Sequence, residues 1–336
     1  MKIVTPITLT NSQSQATPPK FQLLIQTTLT YPNGVRFWSP TDGWLPAWLE
    51  SISSGTATIW VKIPSSIPAN GTYQLYMIQD STLPMDGVYW GEAPQLSSTY
   101  GQYDNGANVF DFYDNFAGTS LSSKWTSGAS GGSYSVNNGL TINLPYNAPS
   151  NSYVYISTSS YTVTSAQIVE SYANLNAFNT SNFRMVPVAL TQYNNTAWHA
   201  DLNPNENGVG WSGNSRAANT VSAVTSTSSA FSFFENSQIT STSAYQLWGI
   251  IYPNNGSVSV QYNYNSWGST TTYVPTTPLY ITISNYIYPA QNYTSTTYPI
   301  NVYYIRARTY PPNGVMPTVS FGASQYSGEL ITVTVP

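Results

Sequence analysis

The stretch Tyr245-Gln246-Leu247-Trp248-Gly249-Ile250-Ile251-Tyr252, then Pro253-Asn254-Asn255-Gly256-Ser257, then Val258-Ser259-Val260-Gln261-Tyr262-Asn263-Tyr264, decides the fold class. Two β-branched, aromatic-rich runs flank a short glycine-containing turn, which is the pattern of a β-hairpin. The same alternation of apolar and polar residues recurs over residues 21–31, 56–63, 73–79, 153–156, 161–168 and 183–190. Asn-Gly pairs begin at Asn33, Asn70, Asn105, Asn138, Asn207, Asn255 and Asn313, and both residue types tolerate the positive φ that chain reversal demands. No window carries a convincing helical period, so the chain is expected to be all-β, its antiparallel sheets stacked as β-sandwiches.

Composition narrows the function. Only 7% of the 336 residues are charged, against about 25% in ordinary soluble domains. Ser, Thr and Asn make up about a third of the chain, so neutral hydroxyls and amides must carry its solubility. A net charge of −4 without a cationic run argues against nucleic acid and anionic membrane surfaces as partners. Zero cysteines exclude disulfides, thiolate nucleophiles and zinc–thiolate sites. No apolar run near Met1 is long enough for a signal-peptide core or a membrane span, so insertion into a membrane is not expected. With so few carboxylates to protonate, acid is expected to cost the fold little stability, and a hot or acidic setting is inferred.

Residues 95–106 lose alternation and concentrate turn formers, which places a boundary there. The expected organisation is a small β-sandwich over 1–105, a larger sandwich over 106–310, and a C-terminal segment over 311–336 ending in a strand. Residues 212–229, rich in Ser, Thr, Ala and Asn, read as an exposed loop or edge.

Two sets of motifs resemble known families. The first comprises Ile7-Thr8-Leu9-Thr10-Asn11-Ser12-Gln13, Val35-Arg36-Phe37-Trp38, Leu45-Pro46-Ala47-Trp48-Leu49-Glu50, Ala57-Thr58-Ile59-Trp60-Val61-Lys62-Ile63-Pro64 and Ile67-Pro68-Ala69-Asn70-Gly71-Thr72. It resembles a small extracellular β domain of uncharacterised function, common in archaeal surface proteins. The second comprises Phe110-Asp111-Phe112-Tyr113-Asp114-Asn115-Phe116, Leu121-Ser122-Ser123-Lys124-Trp125, Val136-Asn137-Asn138-Gly139-Leu140 and Val302-Tyr303-Tyr304-Ile305-Arg306-Ala307-Arg308. It is similar to concanavalin-A-like lectin and glucanase sandwiches, which implies a jelly-roll architecture.

Retaining glucanases of that superfamily carry two glutamates bracketing an aspartate on one strand, because nucleophile and acid must flank one bond about 5 Å apart. No such triplet exists here, and past residue 115 the carboxylates are Glu170, Asp201, Glu206, Glu235 and Glu329. His199, the single histidine, has Asp201 two residues on but no identifiable nucleophile. Asp104, Asp111 and Asp114 are the densest hard-oxygen cluster and the candidate for a structural calcium; capping or pairing with Arg306 or Arg308 is the alternative. No other cofactor is expected. Trp198, Trp211, Trp248 and Trp267 are candidate glycan contacts, with core packing as the alternative for each. Candidate N-glycosylation sites are Asn70, Asn179, Asn194, Asn255 and Asn292.

These readings lead to a non-catalytic, outward-facing protein, exposed on an archaeal virion as a spike, turret or coat component and able to bind glycans. The Met1 start tilts that reading toward a virion. The alternatives are an archaeal cell-surface adhesin or filament subunit and, behind both, a glycoside hydrolase on the same scaffold. Expected partners are host or surface glycans and further copies or structural subunits, joined through the β-prone termini at residues 2–10 and 330–335.

Overall fold

Lys2–Thr10 alternates inward and outward over its whole length, burying Ile3, Thr5, Ile7 and Leu9. That period of two is what a strand with one face on a core requires. The computed structural model describes residues 1–145, 147–175, 183–199, 204–213, 219–240, 243–287 and 298–327. It divides into two units, one of Met1–Asp111 with the chain from Pro311 onward, the other Phe112–Tyr310. The segment expected to stand apart from residue 311 thus returns to the first unit.

The first unit is a sandwich. Its six-stranded sheet runs in the order Thr318–Phe321, Lys2–Thr10, Thr72–Asp80, Val35–Ser39, Gly43–Leu45, and Gln325–Ser327 pairs with the start of Lys2–Thr10. The facing sheet runs Phe21–Thr27, Thr56–Ile63, Ala47–Ser53, Trp90–Glu92, with the last pair parallel. Ile7, Phe21, Leu23, Phe37, Ile59 and Leu75 meet between them. Lys2–Thr10 therefore has neighbours from its own chain on both edges and presents no free edge to another copy. Residues 330–335 lie outside the described residues.

The second unit stacks two eight-stranded antiparallel sheets as a β-sandwich. One orders Trp125–Ser130, Tyr153–Thr158, Tyr280–Ile287, Phe183–Thr191, Gly208–Gly213, Thr220–Ser226, Phe231–Phe233, with Ile239–Thr240 also on Thr220–Ser226. The other orders Ser133–Val136, Leu140–Leu144, Tyr298–Thr309, Gln167–Leu175, Gln246–Tyr252, Val258–Tyr262, Asn265–Thr270, with Phe112–Asp114 on Tyr298–Thr309. The hairpin read from the sequence is present as Gln246–Tyr252 paired with Val258–Tyr262, and the chain continues into Asn265–Thr270. Among the described residues a short α-helix, Gly106–Val109, and a 3-10 turn, Pro312–Gly314, interrupt the β structure.

The described part of residues 212–229 corrects the reading of an exposed loop or edge: Gly208–Gly213 and Thr220–Ser226 form a register-matched pair inside the sheet, almost wholly buried, and the exposed turn comes only at residues 227–230. Small side chains serve here because Val209, Trp211, Val221 and Ala223 face the inter-sheet core. On the other face, a Cβ on Gly208 would lie 2.5 Å from Trp198 Nε1.

Candidate functional site

The sheet containing Phe183–Thr191 is covered on both faces, and all nine residues of that strand are buried. Leu190, Met185 and Val188 point into the sandwich, while Val186 and Ala189 lie outward with Trp198 and Val224 in a separate small cluster. Trp198 comes from the segment following the strand and is fully buried, its indole N–H donating to Ser226 Oγ at 2.9 Å. Ser284 Oγ donates to its backbone carbonyl at 3.0 Å. Beside it, His199 stacks on Tyr286 with centroids 3.9 Å apart and planes at 16°. Outward hydroxyls continue along this face: Thr282 Oγ1 lies 2.8 Å from Ser157 Oγ and 2.7 Å from Thr191 Oγ1.

Glu206 ends the covering segment, directly before Gly208–Gly213. It is 1% exposed. The Tyr193 backbone N–H donates to Oε2 at 2.8 Å, whereas Oε1 is buried without a hydrogen-bond partner. Burial raises its pKa to about 8, with the amides of Tyr193 and Gln192 offsetting part of the rise. A carboxyl in that state keeps its proton at neutral pH. No local pattern in the sequence signals this, because the burial arises from tertiary packing around Tyr193 and Glu206.

Glu170 is the opposite case. It projects outward from the other sheet, between the core-facing Val169 and Ser171 of Gln167–Leu175. Burial acts to raise its pKa, but the charges of Arg306 and Arg308 outweigh that and bring it to about 2. Arg306 Nε donates to Oε2 at 2.7 Å, and Arg308 reaches both oxygens at 3.0 and 2.9 Å. Gln261 Nε2 also donates to Oε1. Both arginines thus pair with Glu170. Glu170 and Glu206 lie on opposite sides of the sandwich, so they cannot flank one glycosidic bond.

The remaining predicted residues are largely structural. Trp211 and Trp248 are buried at 0% and 2% exposure, donating to the carbonyls of Gly249 and Ala173. With Trp198, they are core residues and not sugar contacts, because each indole is enclosed and its one donor is used inside the protein. Trp267 is half-buried against Tyr262 and donates to the Ser237 carbonyl at 2.6 Å. Asp104 accepts from Trp48 Nε1, Asp111 from Gln22 Nε2, and Asp114 from Trp125 Nε1 and Ser122 Oγ. Each aspartate is an internal acceptor, and among the described residues no three metal-ligating side chains come together. Asn70 and Asn255 are exposed in turns, whereas Asn194 Nδ2 donates to the Thr158 and Ser159 carbonyls. Asn179, Asn292, Asp201, Glu329 and residues 330–335 lie outside the described residues.

Comparisons with known proteins fit this two-part body. Residues 31–87, inside the first unit, match the family model described as "Domain of unknown function (DUF2341)". Uncharacterized protein 562 of Sulfolobus islandicus rod-shaped virus 1 is 38% identical over 120 residues, 32% of this chain and 21% of that protein. Only about a fifth of that viral relative's length is thus matched. Among solved structures, a Bacillus licheniformis β-glucanase is 11% identical over 59% of this chain and 97% of its own, with a TM-score of 0.44. The laminarinase of Rhodothermus marinus is 10% identical over 60% of this chain and 96% of its own, with a TM-score of 0.45. The carbohydrate recognition domain of Emp47p is 9% identical over 59% of this chain and 95% of its own, with a TM-score of 0.41. At such identity the likeness concerns the fold.

The comparisons correct the expected function. A non-catalytic virion attachment protein with no enzymatic role does not stand beside neighbours that include glucanases, a laminarinase and an endo-β-galactosidase. That expectation is withdrawn. Among the described residues no helix is long and apolar enough to cross a membrane.

Proposed function

We propose that the chain is a carbohydrate-active protein whose second unit acts on glycans, with Glu206 as its acid. The observation that carries this reading is the Glu206 carboxyl, buried, protonated at neutral pH and with Oε1 unpartnered. Glycoside cleavage needs a carboxylic acid that retains its proton until the leaving oxygen requires it, and burial is the usual way to keep one. Trp198 covers the outward sheet face, so access to Glu206 requires its indole to move aside. An outward-facing setting, on a particle or cell surface, is compatible with the viral origin of the relative.

The test is release of reducing ends from β-1,3-glucan, β-1,3-1,4-glucan and a mucin-type galactan by the full chain, beside Glu206→Gln. Removing an acid catalyst costs on the order of 100- to 10,000-fold in rate. A drop of that size supports the reading. Equal rates for the two proteins, or no release and no binding on any of the three glycans, sinks it.

A further inference from the structure

The first unit's six-stranded sheet carries a second pattern on the face turned away from its core. Strict alternation sends Ile7, Leu75 and Phe37 inward, and Pro6, Tyr76 and Trp38 outward. Cross-strand register sets the outward residues in one line: Pro6 opposite Tyr76, Tyr76 opposite Trp38, and Trp38 opposite Trp44. The Trp38 and Tyr76 centroids lie 5.9 Å apart with planes at 39°. Trp44 is 47% exposed, more than any other tryptophan of the chain. Adjacent strands are about 4.8 Å apart, so the row extends about 14 Å across four strands.

Its surroundings are mixed and without net charge, with the half-buried Val4 and Ile78 in the line beside Arg36. On one side lie Thr8 and Gln74, themselves register partners joined by a 3.0 Å hydrogen bond. On the other, Arg36 is neutralised by Asp86 at 2.9 Å. Aromatic rings in outward positions contribute nothing to the core and cost exposure to water, so their alignment calls for an occupant. A second protein is a poor match for so small a patch. Three rings of 150–250 Å² each, at most half exposed, offer on the order of 300 Å², against about 800 Å² per partner in a stable interface. A chain of pyranose rings fits better, since its apolar ring faces stack on aromatics one sugar at a time and its hydroxyls bond to neutral amides and hydroxyls.

We propose that the row Trp44, Trp38, Tyr76 and Pro6 is a binding platform for a neutral polysaccharide, about three sugar rings long, with Gln74 and Thr8 meeting the sugar hydroxyls. The site lies wholly in the first unit and is independent of Glu206.

Depletion of the full chain from solution by insoluble microcrystalline cellulose, chitin and curdlan tests it, with Trp44→Ala and Trp44→Phe alongside. The expected result is depletion by at least one polysaccharide, weakened tenfold or more in Trp44→Ala and largely restored in Trp44→Phe. Trp44 is exposed, so its loss leaves the fold intact by circular dichroism. Release of reducing ends from the soluble glycans stays at the parent's rate in Trp44→Ala, which separates this platform from the chemistry of the second unit. No depletion by any of the three, equal depletion by Trp44→Ala, or a parent dimer that Trp44→Ala dissolves overturns the proposal.

Discussion

Replacing Glu170 by Gln keeps the shape of the buried side chain and removes the charge shared by Arg306 and Arg308. Both guanidinium groups are essentially without water contact, Arg306 at 0% and Arg308 at 4% exposure. Two routes give the cost. The Glu170 pKa of about 2 lies some 2.5 below its ordinary 4.5, which is worth about 3 kcal/mol at 1.36 kcal/mol per unit. Breaking one side of a buried ion pair costs about 3–5 kcal/mol in other proteins. For a unit near 200 residues, 1 kcal/mol shifts the melting temperature by about 2–4 °C, so 3 kcal/mol predicts a loss of roughly 6–12 °C. Differential scanning calorimetry at pH 7 should show that loss in one transition, that of Phe112–Tyr310, while the first unit melts where it did. A shift under about 2 °C, or equal movement of both transitions, would refute the assignment of Glu170 as the charge that offsets the two arginines.

The same group makes the protein less indifferent to acid than its composition implied. A carboxylate with a depressed pKa stabilises fully above its unfolded value, so this contribution should disappear as pH falls from about 4.5 to about 2. Urea midpoints across that interval should fall in the parent and fall less steeply in Glu170→Gln, where Asp42, Asp80 and Asp86, held below the ordinary range by their hydrogen bonds, leave a residual slope. Glu206 has the opposite sign: its raised pKa means the native state holds an extra proton, so stability should decline as pH rises from about 4.5 to about 8. Glu206→Gln should abolish that alkaline decline, and a persistent slope in the variant would show another group responsible. Ending the chain at residue 316 removes Thr318–Phe321 and Gln325–Ser327, leaving one edge of Lys2–Thr10 unpaired. Light scattering should then report concentration-dependent association through the bared strand, and a monodisperse monomer would count against that account.

The β class, the hairpin at Gln246–Tyr252 and the sandwich layering were legible because a period of two is written locally, in residues adjacent along the chain. The Asn-Gly turns were legible for the same reason. Two features misled. Residues 212–229 look like a loop by composition, yet small residues are what a strand needs when the body of Trp198 lies on it. Tryptophans 198, 211 and 248 look available to sugars in sequence and are enclosed in the fold. Sequence by itself determined the alternation, the absence of thiol chemistry, and the lack of a two-carboxylate motif on one strand. Tertiary structure alone decided which carboxyl is ionised and which is not. Glu170 and Glu206 are the same side chain, but one is folded against two guanidinium groups over a hundred residues away and the other is closed in with backbone amides. A group's proton affinity is set by the charges and water around it, and those arrive only when distant strands come together.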